Sequence, residues 1–145
     1  MEPQRVGVTA EQAFRSSFKA MERGPEGADD FLAFYDDEVT FEDPAQRVHG
    51  REALGVAIRR VLAHMSDVSV EIHGVCGSAT ELHATWTLRA TPRFGPGLSI
   101  EGASHVRLRG ERAVYQRDYW DPLSALGESI PAIGVVYRGL LRTLA

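Results

Sequence analysis

The sequence predicts a single α+β domain in which helices pack against one side of a curved antiparallel sheet. Apolar residues recur at helical spacing up to about residue 65, at a spacing of two between residues 67 and 120, and at helical spacing again near the C-terminus. Helices that are segregated from an antiparallel sheet define the α+β class. A chain of 145 residues has the usual size of one domain, so we expect a single domain over 1–145, with a core at about 9–122 and a helical extension at 123–145.

The first helix is predicted to begin at Thr9. Thr9 and Gln12 have the spacing of a capping box, in which each residue satisfies a free backbone group of the other. Phe14 and Phe18 follow at helical spacing, and their face should meet the sheet. The Gly-Pro pair at 24–25 then ends the helix.

A second short helix and a brief strand should follow. The helix, capped by Asp29 or Asp30, is predicted to extend through Tyr35. One face of the strand carries Val39, Phe41 and Asp43. Pro44 ends the pairing because it lacks a backbone donor, so a carboxylate follows two core residues toward the interior.

The most regular helical repeat follows Gly50. Its apolar positions are Ala53, Leu54, Ala57, Ile58, Val61, Leu62 and Met65. A repeat of 3.6 residues predicts a third helix, so three N-terminal helices precede most of the sheet.

Four long strands and a C-terminal helix complete the predicted fold. Alternating apolar residues mark strands near 68–72, 82–90 and 98–108, and the inner face of the last strand carries Val114, Gln116, Asp118 and Trp120. Apolar residues between 130 and 144 predict an amphipathic helix. A strongly curved sheet forms a cone whose concave face the helices close, and the mouth of such a cone is a natural pocket for a small molecule.

Charge and motif content exclude several classes of function. The net charge is −4 and Lys19 is the only lysine, so we expect no nucleic-acid partner. No apolar run approaches the length of a membrane span, and the first residues lack the apolar core of a signal peptide, so we expect a cytoplasmic protein with no membrane partner. Cys76 and the five histidines show no metal-ligand spacing, and no phosphate-binding glycine loop is present, so no metal or cofactor is predicted.

Two carboxylates are the candidate chemical groups. Asp43 is either an inward-facing acid or a solvated turn residue, and the spacing favours the two interpretations equally. Asp118 shares a strand face with Trp120, although an exposed edge or pairing with an arginine would also explain an acid there. Trp86 and Trp120 on inward faces would form a flat apolar wall for a ring-containing ligand.

The segment FYDDEVTFEDP (34–44), together with HGREAL (49–54) and the closing Tyr119-Trp120 pair, resembles the ketosteroid isomerase branch of the nuclear transport factor 2-like (SnoaL-like) superfamily. The resemblance implies that Asp43 is a general base and that Tyr35 belongs to a supporting hydrogen-bond network. The family's oxyanion hole uses a tyrosine and a protonated aspartate, and the matching positions here are Ser17, or less closely Phe18, and Ser104.

The segment RDYWD (117–121) is similar to the limonene epoxide hydrolase branch of the same superfamily. There, the aspartate that matches Asp118 belongs to an Asp-Arg-Asp set that activates water. Ala84 and Trp86 stand at the other two positions, so this set is not carried over.

The resulting hypothesis is an enzyme that needs no cofactor, namely an isomerase, cyclase or hydratase for a small apolar ring compound. Its predicted catalytic residues are Asp43, Asp118 and Tyr35. Its predicted ligand contacts are Phe14, Ser17, Phe18, Phe41, Trp86, Ser104, Gln116 and Trp120. The alternatives are a non-catalytic binding module with the same pocket and a structural dimer, and a homodimer through the outer sheet face is expected in each case.

Overall fold

The computed structural model describes residues 9–144, without the side chains of 127–129 and 131, so the ends of the predicted domain at 1–8 and 145 lie outside the described residues. The helices are α1 (Ala10–Ala20), α2 (Ala28–Leu32), α3 (Arg51–Ala63), α4 (Pro122–Ser129) and α5 (Pro131–Leu144), with a 3-10 segment at Met21–Gly27. The strands are β1 (Tyr35–Glu42), β2 (Arg47–His49), β3 (Met65–Gly77), β4 (Glu81–Pro92), β5 (Leu98–Arg109) and β6 (Arg112–Trp120).

The six strands form one curved, unclosed sheet in the order β2-β1-β6-β5-β4-β3. The long strands β3 to β6 form an antiparallel meander, whereas β1 runs parallel to β6. A bulge between Ile72 and Gly74 interrupts the register of β3 with β4. Bulges bend a strand and increase its twist, which favours a curved sheet over a flat one. The predicted α+β class with a cone-shaped sheet is confirmed.

Aromatic side chains join the first helix to the concave face of the sheet. Phe18 of α1 lies 5.0 Å from the ring of Trp86 on β4, and Phe14 stacks on Phe18 at 5.5 Å. The predicted capping box holds the start of α1, since Thr9 Oγ1 accepts the N–H of Gln12 and Gln12 Oε1 accepts the N–H of Thr9. Local capping therefore starts the helix, and burial of its aromatic face fixes it over the sheet.

The first strand begins earlier than the sequence pattern predicts. Tyr35, placed by that pattern in the second helix, opens β1 and pairs with Ala113 of β6. Its side chain is fully buried. The placement of Tyr35 in a helix is wrong because pairing with a distant strand outweighs a weak local preference for helix. The short strand β2, which pairs with the end of β1, was also not predicted.

The C-terminal region contains two helices where one was predicted. Asp121 caps α4 by accepting the backbone N–H groups of Leu123 and Ser124. Pro122 occupies the first turn of α4, where proline is tolerated, so it ends β6 and starts a helix at the same point. The second helix, α5, begins at Pro131.

None of the helices among residues 9–144 is long and apolar enough to cross a membrane. A cytoplasmic location and the pairing of two copies through the outer sheet face stay predictions.

Candidate active site

The concave face of the sheet and the N-terminal helices enclose a cavity of about 180 Å³. Its wall is mostly apolar and includes Phe18, Phe31, Phe41, Trp86 and Trp120. Four polar residues also line it: Asp43, Gln46, Gln116 and Asp118. A cavity of this kind can hold an apolar molecule while a few polar groups fix its orientation.

Asp118 lies on the inner face of β6 and is held by its neighbours. It is 8% exposed. Its Oδ1 atom accepts a hydrogen bond from Ser104 Oγ at 2.6 Å and another from Gln116 Nε2 at 2.8 Å. Ser104 is its direct partner on β5, and Gln116 lies two residues earlier on β6, so both donors follow from the register and the alternation of the strands.

The hydrogen bonds of Asp118 continue in both directions through buried side chains. Gln116 Oε1 accepts from the hydroxyl of Tyr35 at 2.8 Å, and Ser104 Oγ accepts from the indole N–H of Trp86 at 2.9 Å. We call these five residues the Asp118 network: Tyr35, Gln116, Asp118, Ser104 and Trp86. Burial, together with the nearby charge of Asp118, raises the pKa of Tyr35 well above its ordinary value, so Tyr35 remains a neutral donor.

The environment of Asp118 raises its pKa from 3.8 to about 6. Burial is the largest cause, because removing water disfavours the ionised carboxylate. The hydrogen bonds from Ser104 and Gln116 act in the opposite direction, and the charge of Asp43 raises the pKa further. Asp118 therefore changes its protonation state close to neutral pH.

Asp43 lies immediately after β1 and lines the same cavity as Asp118. It is half-buried, and its Oδ1 atom accepts the backbone N–H groups of Ala45 at 2.8 Å and Gln46 at 3.0 Å. The two interpretations of Asp43 from the sequence are thus both realised, since one carboxylate closes a turn and lines the cavity. Its role in catalysis stays a prediction.

The predicted ligand contacts fall into two groups. Phe18, Phe41, Trp86, Gln116 and Trp120 line the cavity. The others, Phe14, Ser17 and Ser104, are buried behind its wall. The hydroxyl of Ser17 donates to the carbonyl of Phe31 at 2.6 Å. Contact between any of these residues and a ligand stays a prediction.

The sequence pattern missed part of the cavity wall. The apolar face of α3, including Leu54, Ile58 and Val61, lines the cavity, although periodicity alone could only mark that face as buried. Gln46 also lines the cavity from the turn after Asp43. A turn glutamine carries no periodic signal, so only the tertiary structure reveals it.

Trp86 lies over a glycine on the neighbouring strand. A Cβ atom at Gly102 would lie 2.4 Å from Cη2 of the indole, which is closer than two carbon atoms can approach. Gly102 is the direct partner of Trp86 in the sheet. The missing side chain therefore allows the indole to rest against the backbone of β5.

This architecture belongs to a known family. The family model of the SnoaL-like domain matches residues 14–116, which include β1 and most of the cavity wall. The chain is a member of the SnoaL-like family, whose fold is shared with nuclear transport factor 2-like proteins. A comparison with curated proteins finds no match.

Several solved structures share the fold. An LEH-like epoxide hydrolase from M. tuberculosis is 16% identical with a TM-score of 0.73, and the match covers 90% of this chain and 96% of that one. A Catenulispora acidiphila protein with a ketosteroid isomerase-like fold, in complex with trimethylamine, is 20% identical with a TM-score of 0.72, covering 81% and 92%. A Shewanella denitrificans protein named after SnoaL-like polyketide cyclases is 13% identical with a TM-score of 0.68, covering 85% and 97%. These similarities show the fold alone.

Proposed function

We propose that the protein is an acid–base enzyme that needs no cofactor and acts on a small, mostly apolar ring compound. The observation that carries the proposal is the position of Asp118, a carboxyl group with a pKa of about 6 in the wall of an apolar cavity. General acid–base catalysis is most efficient when the pKa of the catalytic group lies near the working pH. The reaction class is isomerisation, cyclisation or hydration through proton transfer beside a carbonyl group.

The size and the wall of the cavity support a ligand with one small ring. The volume is about 180 Å³. An apolar cavity of about 150 Å³ is large enough to bind benzene. Trp86 and Trp120 offer flat surfaces to a ring, whereas Asp118 and Gln116 supply polar groups for a carbonyl-bearing substrate.

The proposed proton transfer uses the two carboxyl groups of the cavity. Ionised Asp118 removes a proton from the carbon beside the carbonyl. The electrons of the broken C–H bond form a carbon–carbon double bond, and the π electrons of the carbonyl move to its oxygen to give an enolate. The protonated Asp118 then returns the proton to the same carbon, which gives exchange, or to the γ-carbon of a ketone that carries a β,γ double bond, which gives isomerisation. Asp43 lines the same cavity, and its charge raises the pKa of Asp118, so it adjusts the strength of the base that moves the proton.

The Asp118 network argues against an oxyanion hole of the ketosteroid isomerase kind. The hydroxyl proton of Ser104 is already donated to Asp118, and that of Ser17 is donated to a backbone carbonyl. Neither serine has a second proton for a developing oxyanion. The proposal is therefore proton exchange on a small ketone and not steroid isomerisation.

Proton exchange tests this proposal directly. Ring ketones that raise the thermal stability of the wild-type protein would be incubated with it in D₂O, and deuterium at the α-carbon would be measured by NMR. Asp118→Asn should lower the exchange rate by about 10²–10⁴-fold while ligand binding persists. The matched control is Asp121→Asn, which removes a carboxylate outside the cavity and should leave the rate unchanged.

The pH dependence separates the roles of the two acids. With Asp118 as the base, the exchange rate should rise through a pH of about 6 and then level off. Asp43→Asn removes a charge that raises the pKa of Asp118, so the rise should move to lower pH. If Asp43→Asn abolishes exchange and Asp118→Asn does not, Asp43 is the base that the family resemblance implies, and our assignment to Asp118 is wrong.

A second candidate is a non-catalytic binding module with the same cavity. Its support is that no described buried side-chain nitrogen or oxygen lacks a hydrogen-bond partner, so the buried polar atoms of the Asp118 network are paired without a ligand. Tight binding of ring ketones with no deuterium exchange above the uncatalysed rate would favour this candidate over the enzyme.

A further inference from the structure

Three side chains with metal-ligating atoms converge on the outer face of the sheet, away from the cavity. Glu81 and His83 lie two residues apart on β4, and His105 is the direct partner of His83 on β5. One ligand atom from each of the three residues lies within 4.8 Å of the others. Strand alternation places them on the side opposite buried Leu82, Ala84 and Ser104.

The rings of His83 and His105 are stacked with their planes parallel. Their centroids are 4.8 Å apart and their planes differ by only 2°. Nε2 of His105 is 3.4 Å from a carboxylate oxygen of Glu81. Ligand atoms about 2.0–2.2 Å from one zinc ion lie at most about 4.4 Å from each other, so zinc binding would draw the three side chains closer together.

The two histidines of the cluster line a shallow depression on the same face, and Glu81 lies outside it. This depression has a volume of about 390 Å³ and includes both histidines, Cys76 and the small residues Gly74 and Ala103. Cys76 stands opposite His83 on β3. The depression therefore leaves room above the two rings for an ion and its water molecules.

We propose that Glu81, His83 and His105 bind a divalent transition-metal ion of the Zn²⁺ type. Two imidazoles and one carboxylate form a donor set that suits zinc, whereas Ca²⁺ and Mg²⁺ prefer oxygen ligands alone. Three protein ligands leave the fourth tetrahedral position open to water or, in the homodimer expected through this face, to a group of the second copy. Spacing along the chain gives no sign of this site because its ligands meet across two strands.

Two arginines flank the cluster and weaken its attraction for any cation. Arg107 is the strand partner of Glu81, and Arg117 is that of His105. Their guanidinium groups lie 5.2 Å and 4.8 Å from the ring centroids of Tyr115 and Tyr119. This repulsion acts on all dications alike, so the preference for zinc over calcium is more informative than the absolute affinity.

Calorimetry on the full-length, chelator-treated protein tests the proposal, with ZnCl₂ and CaCl₂ titrated separately. We expect one Zn²⁺ per chain and no heat from Ca²⁺. His83→Gln and His105→Gln should each weaken zinc binding by about 10–100-fold or more. Loss of a residue that only orients a metal ligand already has an effect of that size. His73→Gln is the matched control, because His73 is an exposed histidine that bonds Thr87 instead.

Several results would overturn the assignment. These are no saturable heat from Zn²⁺, equal binding of Ca²⁺, an equal loss in His73→Gln, or a loss in Cys76→Ser with none in the two histidine variants. The wild-type protein loaded with Co²⁺ gives a check that needs no variant. Intense visible bands of a four-coordinate ion would support the site, and the weak spectrum of hydrated Co²⁺ would contradict it.

Discussion

Asp118 and Asp121 lie three residues apart, yet the pKa of one is raised and the pKa of the other is lowered. The pKa of Asp118, inside the cone, is raised to about 6. Asp121 is exposed at the start of α4, where a hydrogen bond from the hydroxyl of Tyr137 at 2.6 Å and further bonds from Ser124 lower its pKa. Both acids accept several hydrogen bonds, so hydrogen bonding alone does not explain the difference.

The contrast shows that burial decides the direction in which the pKa of each acid moves. Donors stabilise an ionised carboxylate in both places, but at Asp118 the loss of water outweighs two short hydrogen bonds. At Asp121, water remains and the donors determine the direction. Burial in the cone, with a smaller contribution from the charge of Asp43, therefore raises the pKa of an ordinary aspartate to about 6.

The largest effect is expected on the stability of the Asp118→Asn variant. The folded pKa of Asp118 lies above the unfolded one, so the folded state holds a proton that the unfolded chain releases, and the free energy of unfolding falls as pH rises from about 4 to about 6. A rise in the pKa from 3.8 to about 6 corresponds to a loss of at most about 3 kcal/mol in the free energy of unfolding. The neutral amide of asparagine carries no charge that must be buried. Above pH 6 the variant should therefore be more stable than the wild-type protein by up to about 3 kcal/mol.

Urea unfolding at pH 4, 5, 6 and 7 measures this effect. The gain should be near zero at pH 4 and largest at pH 7, and Asp121→Asn, its counterpart outside the cone, should show no such rise. If Asp118→Asn lowers stability equally at all four pH values, burial does not destabilise the ionised carboxylate of Asp118.

A smaller effect is expected from Ser104→Ala. The substitution removes a donor to Asp118 and leaves the indole N–H of Trp86 without its partner. An unpaired buried polar group costs about 1–3 kcal/mol, so the free energy of unfolding should fall by that amount. The pKa of Asp118 should also rise, because the bond from Ser104 lowers it in the wild-type protein.

Carboxyl chemical shifts of Asp118, followed by NMR across the pH range, would measure that change. Ser99→Ala on the same strand is the control, since Ser99 pairs with Arg89 and lies on the opposite face from Ser104. If the pKa of Asp118 is the same in the Ser104→Ala and Ser99→Ala variants, Ser104 has no direct influence on that carboxyl group.

The smallest effect should come from the exposed acid. Asp121→Ala removes the cap of α4, and loss of such a cap typically lowers stability by about 1 kcal/mol. Asp121→Asn keeps a good capping residue and should lower stability by much less. Thermal unfolding of both variants, followed by circular dichroism, compares them, and equal losses would show that charge and not capping matters at this position.

Local patterns predicted the parts of the fold that local interactions determine. Thr9 and Gln12 form the expected capping box, and alternation along β6 correctly brings Gln116, Asp118 and Trp120 to the cavity. Tyr35 was misplaced because its strand pairs with β6, far away along the chain. No local signal marks such a partner, and a weak helical spacing was the only available guide.

The chemistry of the site was less predictable than its position. Asp43 and Asp118 were identifiable as inward candidates, but the raised pKa of Asp118 depends on burial by elements from the whole chain. Ser104 illustrates the same limit. The sequence shows that residue 104 is a serine, whereas its hydrogen bond to Asp118 follows from the register of β5 with β6.

The absence of a side chain at Gly102 links the shape of the cavity to the pKa of Asp118. A methyl group there would force the indole of Trp86 from its place on β5. The displaced ring would take up space in the cavity or give up its bond to Ser104, which in turn restrains Asp118. A larger residue at position 102 would therefore alter both the shape of the cavity and the proton affinity of Asp118 in a single step.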